Sequence, residues 1–203
     1  MIAALFVATN GAYADLPGVD LWDEARDARL YAGPHPVVAH PPCQRWGALA
    51  HVNYARWGGE HNRPGNDGGC FASALASVEA YGGVLEHPRG SGAWDAFGLV
   101  KPRGRGWHRS GMGHTCEVWQ SAYGHRANKA TWLYCVGMPL GDLDWSRPVG
   151  SHQVGYHDQR GKDRNKPTLS TAEANATPPA FRDLLIGMAR SVEHVRQALQ
   201  EAA

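Results

Sequence analysis

Five short apolar segments set the strongest limit on the fold. They are AALFVAT (3–9), GVDLW (18–22), HPVVAH (35–40), GVLEHP (83–88) and TWLYCVG (131–137), each bordered by glycine, proline or polar turn formers. Runs of this length suit strands rather than helices, and their β-branched and aromatic residues fit a pleated, buried surface. Helical patterns fall in other parts of the chain. CFASALASVEAYGG (70–83) has small and apolar residues at helical spacing and stops at Gly82-Gly83. TPPAFRDLLIGMARSVEHVRQALQ (177–200) has Thr177 as a cap, prolines in its first turn, and a stripe of Phe181, Leu184, Leu185, Met188 and Val192 that reads as core packing. The charged DEARDARLYAG (23–33) reads as helix or turn. This alternation predicts one α/β domain over residues 1–203, with a largely parallel twisted sheet flanked by helices.

With 25 glycines and 13 prolines among 203 residues, loops should be extensive. Segments 56–69, 101–114 and 146–176 are rich in turn formers and lack periodicity, so irregular structure is expected there. A formal charge of +1 excludes a grossly basic nucleic-acid binder but leaves room for a local basic face. The four cysteines, Cys43, Cys70, Cys116 and Cys135, are too widely and irregularly spaced for a secreted disulfide framework. Reduced thiols in a cytoplasmic setting are expected. The opening MIAALFVATNGAY lacks a basic stretch and reads as a strand rather than a signal peptide, and no run approaches the length needed to span a bilayer.

The segment VVAHPPCQRWG (37–47) ends a buried strand by presenting a thiol on a stiff Pro-Pro corner. In an open parallel sheet, ligands bind outside the carboxyl ends of the strands. Those ends carry His40 and Cys43 after one strand, and Glu86 and His87 after another. A thiolate can attack an electrophilic carbon while a neighbouring carboxyl supplies or removes a proton. A buried, inert Cys43 and a surface Glu86 are the alternative. KPRGRGWHRSGMGH (101–114) brings Lys101, Arg103, Arg105 and Arg109 together with Trp107, a pattern suited to phosphate contact and base stacking, or to a solvated loop. RGKDRNK (160–166) is a second, acid-interrupted basic cluster. His40, Cys43, His114 and Cys116 have the right ligand chemistry for zinc at non-standard spacings, and His51, His61, His125, His152 and His157 lie in polar loops where surface positions are expected.

The order of these pieces resembles the cytosine-C5 DNA methyltransferases. HPPCQRWG (40–47) resembles their Pro-Cys loop, and GGVLEHPRGS (82–91) their Glu-Asn-Val strand end, especially the Glu-Asn-Pro form of phage-encoded members. QSAYGHRANKATWLYCVG (120–137) resembles their later Gln/Arg-bearing strand, and TPPAFRDLLIGMA (177–189) the closing segment of small phage members. The resemblance implies a reduced Rossmann-like methyltransferase core acting on DNA in a bacterial host's cytoplasm. In it Cys43 would add to C6 of a flipped pyrimidine, cytosine first, and Glu86 would donate to N3. His40, Pro42, Gln44, His87, Arg126 and Lys129 would hold the base or its phosphate. S-adenosylmethionine would be the methyl donor, gripped by Phe6, Asn10, Asp20 and Asp23.

His87 stands where the family has asparagine, and the later Arg-x-Arg is loosely matched. ALFVATNGAYADLPGVDLW (4–22) has one glycine in the region where the family's cofactor loop has two or three. The stretch from Asn10 to Pro17 is also too short for a crossover helix. Three further readings therefore stand beside methylation: pyrimidine modification without S-adenosylmethionine, a catalytically inactive DNA-binding module, and a zinc-stabilised protein.

Overall fold

All residues of β1 (Ile2–Leu5) and β3 (Val37–Ala39) are buried, as strands covered on both faces must be. They lie in a seven-stranded mixed sheet of order β2-β1-β3-β4-β7-β6-β5. Its other strands are β2 (Val19–Trp22), β4 (Gly83–Pro88), β5 (His108–Ser110), β6 (Gly113–Trp119) and β7 (Ala130–Val136). The computed structural model describes residues 1–154 and 165–201, so the expected surface position of His157 and most of the 160–166 cluster lie outside the described residues.

The sheet is parallel through β2, β1, β3 and β4 and antiparallel through β4, β7, β6 and β5. The expectation of a largely parallel sheet therefore holds for one half only. Chain length explains the other half. β5 and β6 are joined by Gly111 and Met112 alone, with Gly111 at φ +55°, and β6 and β7 by residues 120–129. Neither link has room for a helical crossover, so each strand must return beside its predecessor. β5 and the start of β6 fall within 101–114, which was expected to be irregular.

Alternation along the strands divides the core into two layers. Ala3, Leu5, Val37, Ala39 and Leu85 face α2 (Cys70–Tyr81) and pack with Phe71, Val78 and Trp94. Ile2, Ala4, Val38, Val84 and Leu133 face α5 (Pro179–Glu201) and pack with Phe181, Leu185 and Met188. Shorter helices are α1 (Ala50–Trp57), α3 (Ala93–Ala96) and α4 (Thr171–Asn175), so 56–69 begins in a helix and 146–176 contains one. The charged 23–33 segment is turns and a 3-10 helix at Ala28–Leu30.

Residues 6–18 cross from β1 to the parallel β2 through turns, without a helix. The chain then returns past β1 to β3, so strand order reverses between β1 and β3. Such a reversal opens a crevice at the carboxyl ends of the two strands.

At the β3–β4 contact Gly83, which pairs with Val37, has φ +119°, and a side chain there would run into the Val37 carbonyl. Gly83→Ala should lower unfolding free energy by at least about 3 kcal/mol. Urea denaturation followed by tryptophan fluorescence measures it, against Gly98→Ala, where a Cβ would meet nothing within 4 Å.

Candidate active site

Strand register assembles the site. Val38 pairs with Val84, so two residues further on His40 comes level with Glu86, both on the α5 face. β7 runs the opposite way, bringing Thr131 level with Pro88, and β6 pairs Val118 with Thr131. Gln120 follows β6 in the 3-10 turn Gln120–Tyr123. Four polar side chains from four elements thus meet at one sheet edge.

Their hydrogen bonds form a chain. Tyr13 Oη lies 2.8 Å from His40 Nε2, and His40 Nδ1 lies 3.1 Å from Glu86 Oε2. Gln120 Nε2 donates to Glu86 Oε1 and to Thr131 Oγ1, both at 3.0 Å. Tyr13 and Gln120 are buried, whereas the His40 and Glu86 side chains keep 13% and 12% exposure and so reach solvent. Burial opposes a charge on Glu86, but the hydrogen bond from His40 and the nearby Lys129 ammonium outweigh it and pull the carboxyl down to about 2. Glu86 is ionised throughout the neutral range.

Cys43 is held in a braced turn. Its carbonyl accepts from Trp46 N and Gly47 N, and the Trp46 indole donates to Asp67 Oδ2, which also receives Phe71 N at the start of α2. Pro41 is buried and Pro42 exposed, so the corner is anchored on one side and open on the other. Burial pushes the Cys43 thiol upward and Glu86 adds to that shift, while the Lys129 ammonium works against it. Cys43, Glu86 and Lys129 therefore share one electrostatic environment.

The other expected base-binding residues divide. His87 is a core side chain: Nδ1 lies 2.7 Å from Ser91 Oγ, and the ring packs between Phe71 and Trp94. Burial holds it neutral down to about 4. Gln44 is exposed beside the cysteine. Arg126 is drawn away to Glu173 of α4, at 2.9 Å, and to His152. Of the two cations, Lys129 is the one whose charge acts on Glu86.

In the 101–109 loop, Arg103 and Arg105 are exposed, Lys101 pairs with Asp95 at 2.6 Å, and Arg109 donates to the Gly111 carbonyl. Trp107 is spent on packing: its indole donates to the Gly141 carbonyl and its ring meets Trp145 edge-on. Among the described residues no three His, Cys, Asp or Glu side chains gather as a metal site, and Cys116 lies in the core rather than beside Cys43. His125, expected at the surface, is buried with Nδ1 on Ala127.

The residues assigned to S-adenosylmethionine do not fit it. Asp23 accepts from Thr9 Oγ1 at 2.6 Å and from Arg26 N, and Asp20 accepts from Trp22 Nε1 and Arg26. Both carboxylates are committed within the fold. Phe6 is half-buried against the α2-side core at φ 58°, and Asn10 sits on an exposed turn. Tyr13 comes from the helix-free crossover, is 3% exposed, and puts its hydroxyl on His40 at the β1/β3 crevice where a nucleotide cofactor would sit.

Tyr13, Gln120 and Thr131 are the site residues that sequence reasoning misses. The one available signal was that Gln120 and Thr131 lie within QSAYGHRANKATWLYCVG; nothing local marks Tyr13. The chain matches no known family profile, no curated protein and no solved structure.

Two measurements check these electrostatics. Unfolded histidine takes up a proton near 6.5 and His87 only near 4, so stability should fall as pH drops through that window. Glu86 then lowers it further between 4.5 and about 2. Each limb should amount to roughly 3 kcal/mol, with His87→Asn losing the upper and Glu86→Gln the lower in denaturant titrations across pH. At pH 7.5 Cys43 should react with iodoacetamide more slowly than free cysteine, and Lys129→Ala should slow it by a further ~3-fold or more. Peptide-level mass spectrometry reads both rates.

Proposed function

We propose that this chain modifies pyrimidine bases in DNA through a reduced Rossmann-like core akin to that of the cytosine-C5 methyltransferases. One observation carries the reading: a thiol on a braced loop and an ionised carboxylate follow two adjacent parallel strands, near enough to each other and to the Lys129 ammonium to act on one another's charge. Exposed Arg103 and Arg105 support contact with the phosphate backbone.

The Cys43 thiol gives its proton to solvent, favoured by Lys129, and the thiolate forms a bond to ring C6. The C5–C6 π pair shifts to C5 and, by conjugation, onto the substituent at C4, where Lys129 can balance the charge. C5 takes a proton from water. Loss of the other C5 hydrogen and expulsion of the thiolate restore the aromatic ring, so the net change is exchange of the C5 hydrogen with water. Any electrophile delivered to C5 would enter at the same intermediate. No step runs through S-adenosylmethionine.

The test is deuterium incorporation at pyrimidine C5 in single-stranded DNA incubated with the protein in D2O. Catalysed exchange is expected, with a loss of at least about 100-fold in Cys43→Ser. Exchange that survives the substitution refutes the thiol mechanism.

A further inference from the structure

We infer that the base this site activates is a 4-oxo pyrimidine carrying hydrogen on N3, uracil or a close analogue, rather than cytosine, because every hydrogen bond around Glu86 points into its carboxylate. The inference rests on the proposed thiol addition and assigns its substrate class.

The direction of each bond follows from proton counting. Tyr13 is buried, and its hydroxyl has His40 Nε2 as its only hydrogen-bond partner among the described residues. Its one proton must go there. Nε2 is then an acceptor, which leaves the His40 proton on Nδ1, aimed at Glu86 Oε2. On the other side, Thr131 Oγ1 spends its proton on the Lys129 carbonyl and so accepts from Gln120 Nε2. The same Gln120 nitrogen donates to Glu86 Oε1. Turning the amide over would press its carbonyl against the carboxylate. Both Glu86 oxygens therefore receive protons and the group has none to give.

Gln120 Oε1 adds to this one-sided character. It is a buried acceptor that meets no donor among the described residues, and it is carried by the side chain that holds Glu86. The group offered to a ring is thus the Glu86 carboxylate acting as an acceptor, with the Lys129 ammonium near enough to act on its charge. Uracil complements it: N3–H donates to Glu86, and the carbonyl that takes up charge when the thiolate adds can turn to Lys129. Cytosine can offer its amino group to the same acceptors. That leaves N3 unprotonated, so C6 stays unactivated and the base is bound without being turned over. A site built to accept a hydrogen bond discriminates strongly against a lone pair placed in the same position.

One oligonucleotide carrying a single deoxyuridine and a single deoxycytidine tests this in D2O at pH 8, with C5 deuteration read base by base and each rate divided by its thiol-promoted background. The uracil ratio should exceed the cytosine ratio by at least about tenfold. In Glu86→Gln, whose amide both donates and accepts, the two ratios should converge. Equal or faster cytosine exchange by the unaltered protein overturns the inference and keeps the thiol mechanism. Exchange at neither base overturns the mechanism itself.

Discussion

A carboxylate withdrawn from water at the end of a strand must be compensated at once, and much of this molecule is arranged around that demand. Glu86 has two oxygens to satisfy. One is met from β3 through His40 and the other from the β6–β7 link through Gln120. Each of those donors is itself oriented by a further group, Tyr13 on one side and Thr131 on the other. An unpaired buried charge would cost several kcal/mol. The parallel and antiparallel halves of the sheet are therefore tied together by the same group that gives the site its charge.

The helix-free crossover between β1 and β2 takes part in this arrangement. In a doubly wound sheet a helix usually occupies that position, and its N-terminus makes a pocket for an anionic or nucleotide ligand. Here a run of turns lowers Tyr13 into the crevice and seals it onto His40. Tyr13 thereby supports the residue that holds the carboxylate. His87 lies on the opposite face of β4, where Phe71, Trp94 and Ser91 fix a neutral ring in the core. Consecutive residues of one strand thus serve the site on one face and the core on the other.

Much of the parallel half is legible in the sequence. GVLEHP marks β4 at its full extent, since Gly83 allows the approach to Val37 and the residues between are strand formers. The α5 stripe is legible for the same reason, because Phe181, Leu185 and Met188 recur at helical spacing. The antiparallel half is not. β5 spans three residues inside a glycine-rich basic stretch, and its existence depends on pairing with β6 rather than on local preference. Cys43 and Glu86 stand out as reactive types at strand ends, whereas Tyr13 looks like an ordinary turn residue until the crossover path is known. Arg126 misleads because a cation near a site motif is equally suited to an ion pair, and α4 supplies Glu173.

The hydrogen bonds that converge on Glu86 span wide gaps in the chain: Tyr13 to His40 covers 27 residues, His40 to Glu86 covers 46, and Gln120 to Glu86 covers 34. Contacts of this kind repay their loop-closure entropy only after the intervening segments have collapsed. The polar cluster therefore cannot close before those segments have come together. Until both halves of the sheet have docked, the Glu86 carboxylate lacks the His40 and Gln120 donors that orient it. The proposed chemistry would then be confined to molecules in which both halves of the sheet have come together.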